Sequence, residues 1–295
     1  MSTSTDPSAV PQLATKVRSR SLGAPFRTVT GMVGLVLMLL VVGLAVVAVL
    51  GLAPHDPSEQ NVAESLQAPS GSHWFGTDQF GRDIFSRVAS GVANSLRVAL
   101  VSVAVAAVLG VSLGVIAGYY RGLADRLVGM FANVLFAFPP LLLALALAAT
   151  LQRSWVTVSL AIAIVYVPIF TRVARGPVLT LRTADYVQAS IAIGRSRFST
   201  LLQHVLPNMR SILVVQITLS LSWAILTEAS LSFLGFGTPP PAASLGGMVY
   251  EAQSLATIAP WMLAFPATAL IIAVIGLNLL GDSLRAVLDP KTGAR

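Results

Sequence analysis

The chain is 295 residues long, 55% hydrophobic and only 11% charged, where soluble domains carry about 25% charge, so much of its surface must face lipid. It has no cysteine, which excludes a disulfide-built secreted domain, thiol nucleophiles and thiolate metal sites. A net charge of +7 would suggest a polyanionic partner for a soluble chain, but in a membrane chain its distribution must be read first.

In chain order, residues 1–28 form a Ser/Thr/Pro-rich tail with Lys16, Arg18, Arg20 and Arg27. A bilayer core needs about 20 apolar helical residues, and the first such run covers 29–53. It exceeds the apolar core of a cleaved signal peptide and is followed by further spans, so it reads as a retained signal-anchor. A loop over 54–93 precedes a transmembrane core over 94–285. Within that core, spans are predicted at 94–118, 127–150, 156–174, 211–233 and 260–281, and residues 286–295 form a tail. Residues 175–210 and the Gly/Pro-rich stretch 234–259 connect the later spans. The fold class is an all-α polytopic membrane protein with six transmembrane helices.

The positive-inside rule sets the orientation. With both termini cytoplasmic, 15 of the 19 basic residues lie inside, leaving Arg82, Arg87, Arg97 and Arg153 outside. The basic balance is therefore topological, and no nucleic-acid partner is implied.

Enzyme chemistry finds little support. A phosphate-cradling G-x-x-x-x-G-K-[ST] loop needs a lysine after glycine, yet Lys16 follows Thr15 and Lys291 follows Pro290. No catalytic constellation is visible and no cofactor is expected in this chain. His55, His73 and His204 are far apart in sequence, and no metal site is assigned. A weak one is open where His55 and His73 share the 54–93 loop with acidic residues, but solvated loop histidines are the plainer reading. A proton- or sodium-driven carrier would bury several ionisable groups, whereas these spans offer essentially Glu228. Two readings stay open there: a polar contact in a translocation path or bundle interface, or a carboxylate snorkelling to the headgroups. Arg97 reads as an anchor for the second span. Gly110, Gly114 and Gly118 form a small-residue ridge suited to close helix packing.

The segment 183–208 reads TADYVQASIAIGRSRFSTLLQHVLPN. Thr183 suits a cap and Pro207 a stop, and the apolar positions Tyr186, Val187, Ala189, Ile191 and Ile193 break at Gly194. Two short helices with a glycine bend follow, too short to span. They can lie in the membrane interface or dock into a groove on a soluble partner.

The spacing Gln188-Ala189-Ser190-x3-Gly194-x9-His204-x-Leu206-Pro207 resembles the EAA loop of binding-protein-dependent ABC importer permeases. It departs at Gln188, Ser190 and His204, and His204 is the form shown by the peptide-transporter branch. Three further stretches resemble that branch, the dipeptide/oligopeptide/nickel permeases of the DppC/OppC type. They are FGTDQFGRDIFSR from Phe75, ILTEASLSFLGFGTPPP from Ile225 and NLLGDSLRAVLDP from Asn278. Ser244-Leu245-Gly246 departs from relatives that have a tryptophan before the glycine.

The resemblance implies the type I importer permease fold and a multi-pass protein of the bacterial plasma or inner membrane. It implies a permease subunit that imports di- or oligopeptides with a second DppB/OppB-like permease, two ATPase subunits carrying ATP and magnesium, and an extracytoplasmic solute-binding protein. ATPase coupling falls to Asp185, Tyr186, Gln188, Ala189, Ser190, Gly194, Arg195, Ser196, Arg197, His204 and Pro207. Gly76, Thr77, Asp78, Gly81, Arg82 and Asp83 are candidates for binding-protein docking or an outer gate, or else form a structural cap on the bundle. Glu228 is the translocation-path candidate. The same architecture could import a nickel chelate, haem or glutathione, and the remoter alternatives are a stand-alone channel or secondary carrier and a membrane scaffold.

Overall fold

A computed structural model describes residues 28–288. The basic positions Lys16, Arg18, Arg20, Arg27, Lys291 and Arg295 lie outside the described residues, as do the last two residues of the NLLGDSLRAVLDP stretch. Within 28–288 the chain is helical, with one isolated antiparallel bridge between Thr77 and Asp83. The helices are α1 (Val29–Val49), α2 (Ile84–Tyr120), α3 (Gly122–Phe136), α4 (Pro140–Thr150), α5 (Trp155–Leu181), α6 (Asp185–Ala192), α7 (Arg197–Thr200), α8 (Leu206–Phe233), α9 (Leu245–Ala252) and α10 (Trp261–Leu288). A π-helical turn, Leu201–Val205, fuses α7 to α8. Among the described residues, five helices are long and apolar enough to cross a membrane, and six spans result if the bent pair α3–α4 counts as one.

The structure corrects several boundaries. The expected span 127–150 is broken, because α3 and α4 meet at 89°. Pro139 and Pro140 lie at the break, where proline disfavours helix in the residue before it and lacks the N–H that would continue the ladder. Helix α2 starts at Ile84, ten residues before the expected 94, since Asp83 caps it by accepting from Ser86 N. The stretch 234–259, read as loop, contains α9, whose cap Ser244 accepts from Gly247 N at 3.2 Å. Thr183 does not cap α6, because the cap position is Ala184 and offers no side-chain bond. Pro207 is not a stop either. It sits in the first turn of α8, directly after the π turn in which Leu206 N donates to Leu201 O, and such turns absorb local breaks in the helical ladder.

Helices α2 and α5 run parallel as the central pair. Arg97 of α2 lies over the ring of Trp155, the first residue of α5, and Gly118 faces Val178 near the ends of both helices. The glycine ridge makes this approach possible: a methyl on Gly110 would lie 2.5 Å from Phe170 Cβ, and one on Gly118 3.0 Å from Val178 Cβ. The packing expected of that ridge is what the structure contains. Helices α1 and α10 pack antiparallel, with Thr28 Oγ1 3.1 Å from Ser283 Oγ. Arg175 on α5 grips Asp125 on α3 with two hydrogen bonds of 2.5 and 2.8 Å. The bundle therefore has two ends. One carries the loop 54–83 and the starts of α2, α5 and α10; the other carries α6, α7 and the starts of α1 and α8.

Candidate functional site

At the second end, α5 and α8 are joined by a corner built of α6, Gly194 and α7. Its inner face is apolar, with Val187, Leu201 and Val205 buried against Val115, Tyr119, Ala174, Val178 and Met209. Ser190 and Thr200, also buried, face each other at 3.2 Å across the corner. Gln188 Nε2 donates to Arg182 O at 2.6 Å, and Arg182 donates to Tyr119 O at 3.1 Å, so α6 is tied to the ends of α5 and α2. Gly194 takes φ +86° with open space around its Cα, a left-handed conformation that glycine adopts without steric cost. Ser196 then caps α7 by accepting from Ser199 N.

The other expected coupling residues turn outward. Asp185, Tyr186, Gln188, Ala189, Gly194, Arg195, Ser196, Arg197 and Pro207 are exposed, whereas Ser190 is buried and His204 half-buried. Arg195 donates to Gln203 Oε1 and approaches His204 Nε2 at 3.3 Å, while the Tyr186 ring stands edge-on to His204. The corner also presents two large apolar side chains outside the expected coupling set, Ile193 at 80% and Phe198 at 67% exposure. Their signal was available, since Ile193 directly precedes the bend glycine and Phe198 follows Arg197.

At the opposite end the candidates Gly76, Thr77, Asp78, Gly81, Arg82 and Asp83 are all buried. Arg82 Nε donates to Asp78 Oδ2 at 2.6 Å and its Nη2 to Glu251 on α9 at 3.0 Å. Arg87 lies 3.5 Å from both carboxylates. Thr77 donates from its hydroxyl to Glu64 O and accepts Trp261 Nε1 at its carbonyl, tying the loop to α10. Gly81 takes φ +73°, and a methyl there would run into the Asn61 carbonyl. These contacts hold the loop on the bundle. The solvated-histidine reading fails for His73, which is 4% exposed and donates its Nδ1–H to Asp83 at 2.9 Å. Glu251 was missed as a member of this network because Arg82 and Arg87 are 169 and 164 residues away, and Arg87 and Glu64 were missed with it.

Glu228 is fully buried, which overturns the snorkelling reading. Ser95 of α2 donates to its Oε2 at 2.6 Å, and Ser232 one turn on donates to its Oε1 at 2.7 Å. It therefore bridges α8 and α2 inside this chain, where an unpartnered carboxylate would carry a heavy desolvation cost. Arg97, 3.4 Å over the Trp155 ring, anchors α2 to α5.

The family model described as a binding-protein-dependent transport system inner membrane component matches residues 110–294, well over half of the chain and including the whole corner. The chain belongs to that family. Dipeptide transport system permease protein DppC of Alkalihalophilus pseudofirmus is 40% identical to this permease, over 88% of this chain and 85% of its own length. Glutathione transport system permease protein GsiD of Pectobacterium atrosepticum is 42% identical, over 81% and 80%. Among solved structures, the inward-facing MetNI methionine ABC transporter has a TM-score of 0.57 at 21% identity, covering 68% of this chain and 96% of that one. At that identity the likeness carries the fold alone. The permease is thus an ABC importer component of the inner membrane, of the DppC-like branch, in a family of transport permeases rather than enzymes. Such a permease works with partner subunits in a binding-protein-dependent system.

Proposed function

We propose that this permease forms, with a second DppB/OppB-like permease, the membrane path of an ATP-driven importer of di- or oligopeptides. ATP and magnesium are held by two ATPase subunits that dock on the α6–α7 corner, and an extracytoplasmic binding protein delivers solute at the loop end. The observation that carries the reading is the corner itself. It is rooted by Val187, Leu201 and Val205 on one side and exposes Tyr186, Ile193, Arg195, Arg197 and Phe198 on the other. A rigid knob of that kind, mixed apolar and basic, suits a groove on a soluble partner. Because α6 is tied to α5 and α2, movement of a gripped corner is transmitted to the central helix pair. Closing of the ATPase dimer shifts the permease between two access states through contacts that differ between them. The orientation follows from charge, since Arg121, Arg126, Arg175, Arg182, Arg195, Arg197, Arg210 and Arg285 fall toward the corner end, and basic residues favour the cytoplasm.

Peptide is the solute favoured by the DppC relative, and glutathione, itself a tripeptide, is the second reading favoured by the GsiD relative. The test is gentle purification of the tagged chain followed by uptake in proteoliposomes with its binding protein. Co-purifying permease and ATPase chains, lost when residues 185–197 are scrambled, together with ATP-dependent dipeptide uptake, are expected. Uptake that persists without ATP would remove the importer reading, and uptake of glutathione but not dipeptides would select the second solute.

A further inference from the structure

The 54–83 loop gathers ligating side chains beside the cap network, with Glu64 and Asp83 shared between the two. We propose that His55, His73 and Glu64, with Asp83 behind His73, form a site for one zinc-class transition-metal dication that clips this loop together. The tautomers follow from the hydrogen bonds. Asp83 accepts Ser86 N at 2.8 Å and Ser86 Oγ at 2.7 Å on Oδ2, and its Oδ1 lies 2.9 Å from His73 Nδ1. An ionised carboxylate only accepts, so the Nδ1 carries hydrogen and His73 Nε2 keeps a lone pair. That lone pair faces Glu64 Oε2 at 3.5 Å, an acceptor toward an acceptor with room for a cation between them, and the same oxygen is oriented by accepting Asn61 Nδ2 at 2.8 Å.

His55 repeats the pattern. Its Nε2 lies 3.0 Å from Ser72 O, a carbonyl that can only accept, so its Nδ1 is left with a lone pair. The two imidazoles stack with centroids 4.6 Å apart, and ligating atoms of His55, His73 and Asp83 lie within 4.8 Å of one another. Metal-binding histidines commonly donate their other ring N–H to a carboxylate or a backbone carbonyl, which fixes the ring and its tautomer. Both histidines here have such a partner before any ion arrives. Two imidazoles and one carboxylate, with no thiolate, suit zinc in three-ligand form with a fourth position left to water. The adjustment that brings both nitrogens to about 2.1 Å from one ion falls to His55, which is half-buried on the loop, because His73 and Asp83 are buried and bonded to each other. The clip joins the segment that leaves α1 to the turn that starts α2, and it is independent of which solute is carried.

The deciding experiment measures zinc binding by the full chain, purified with a non-histidine tag, stripped of metal and titrated against a chromophoric chelator. One ion per chain is expected, with affinity lowered by about tenfold or more in His55→Ala and in Glu64→Gln. His204→Gln, at the opposite end, is expected to bind as the wild type does. Because His73 is buried and its loss can unfold the loop, the half-buried His55 gives the cleaner substitution. Zinc is also expected to slow amide exchange across residues 54–73 in the wild type and not in His55→Ala. No zinc binding by the wild type, or equal affinity in His55→Ala, would overturn the site.

Discussion

At the loop end, Thr77, Asp78, Arg82 and Asp83 are at most 6% exposed, whereas at the corner Ile193 and Phe198 are 80% and 67% exposed. Both regions read alike in sequence, as a glycine bend among charged and small polar residues between two spans. The structure separates them by what each bend touches. A methyl on Gly81 would run into the Asn61 carbonyl, and one on Gly194 would meet nothing within 4 Å. At the loop end the charges neutralise one another inside the fold: Asp78 and Glu251 take Arg82, and Arg87 stands behind them. At the corner the charged residues and the large apolar ones are left facing out. A buried ionic network is costly to break and suits a fixed shape, while an exposed apolar ridge beside arginines suits a partner. One end turns its charges inward, and the other leaves its large side chains exposed.

The sharpest way to break that contrast is the matched pair Gly81→Ala and Gly194→Ala. Both positions have positive φ, for which a Cβ costs about 1–2 kcal/mol. Gly81→Ala adds a collision with backbone, so its total loss is expected to reach about 4 kcal/mol, with low membrane yield. Gly194→Ala is expected to lose only about 1 kcal/mol and to insert normally. Unfolding midpoints in the same detergent compare the two, and equal losses would mean that the bends are not differently packed.

Arg82→Ala probes the network without touching the backbone. It leaves Asp78, 4% exposed at its side chain, without its 2.6 Å partner. Removing one member of a buried pair costs about 3–5 kcal/mol. Arg87 remains 3.5 Å from both carboxylates, so the lower end, about 3 kcal/mol, is expected. Normal stability with lost uptake would instead mark Arg82 as a docking or gating residue.

Much of this architecture was legible in the sequence, because apolar runs of membrane length are set by the bilayer and not by tertiary context. The runs beginning near 29, 156, 211 and 260 carry α1, α5, α8 and α10. The failures have physical causes. Counting charge-free runs delayed α2 to residue 94, because Arg87 is held in the helix by Asp78, the Pro57 carbonyl and Glu251, and Glu251 lies 164 residues away. The Pro139–Pro140 break was visible but outweighed by the continuous apolar run around it. Glu228 was recognised as the exceptional carboxylate, yet its burial depended on Ser95, 133 residues distant. At the corner the residue set and the bend were legible because they are local. Which side of α6 faces inward was not, since Val187 and Ile193 are equally apolar and only Val187 finds the Val115–Val178 cluster.

The smallest expected change in stability belongs to the most exposed side chains. Phe198→Asp and Ile193→Asp remove apolar surface that this chain does not bury, so each is expected to shift stability by no more than about 0.5 kcal/mol. If the corner is a knob for a soluble partner, the same substitutions place a carboxylate where the partner's groove requires an apolar anchor. Truncating such anchors commonly costs more than about 2 kcal/mol of binding, some thirtyfold in affinity, and a desolvated charge adds to that. Co-purified ATPase and ATP-dependent uptake are therefore expected to fall together while membrane level and unfolding midpoint stay at wild-type values. Lys substitutions at the same positions separate a purely apolar groove, which rejects both charges, from an acidic one, which tolerates Lys better than Asp. Full uptake in Phe198→Asp and Ile193→Asp would move the contact to the polar edge of the corner at Asp185, Tyr186, Arg195 and Arg197, leaving the apolar pair to rest in the lipid interface.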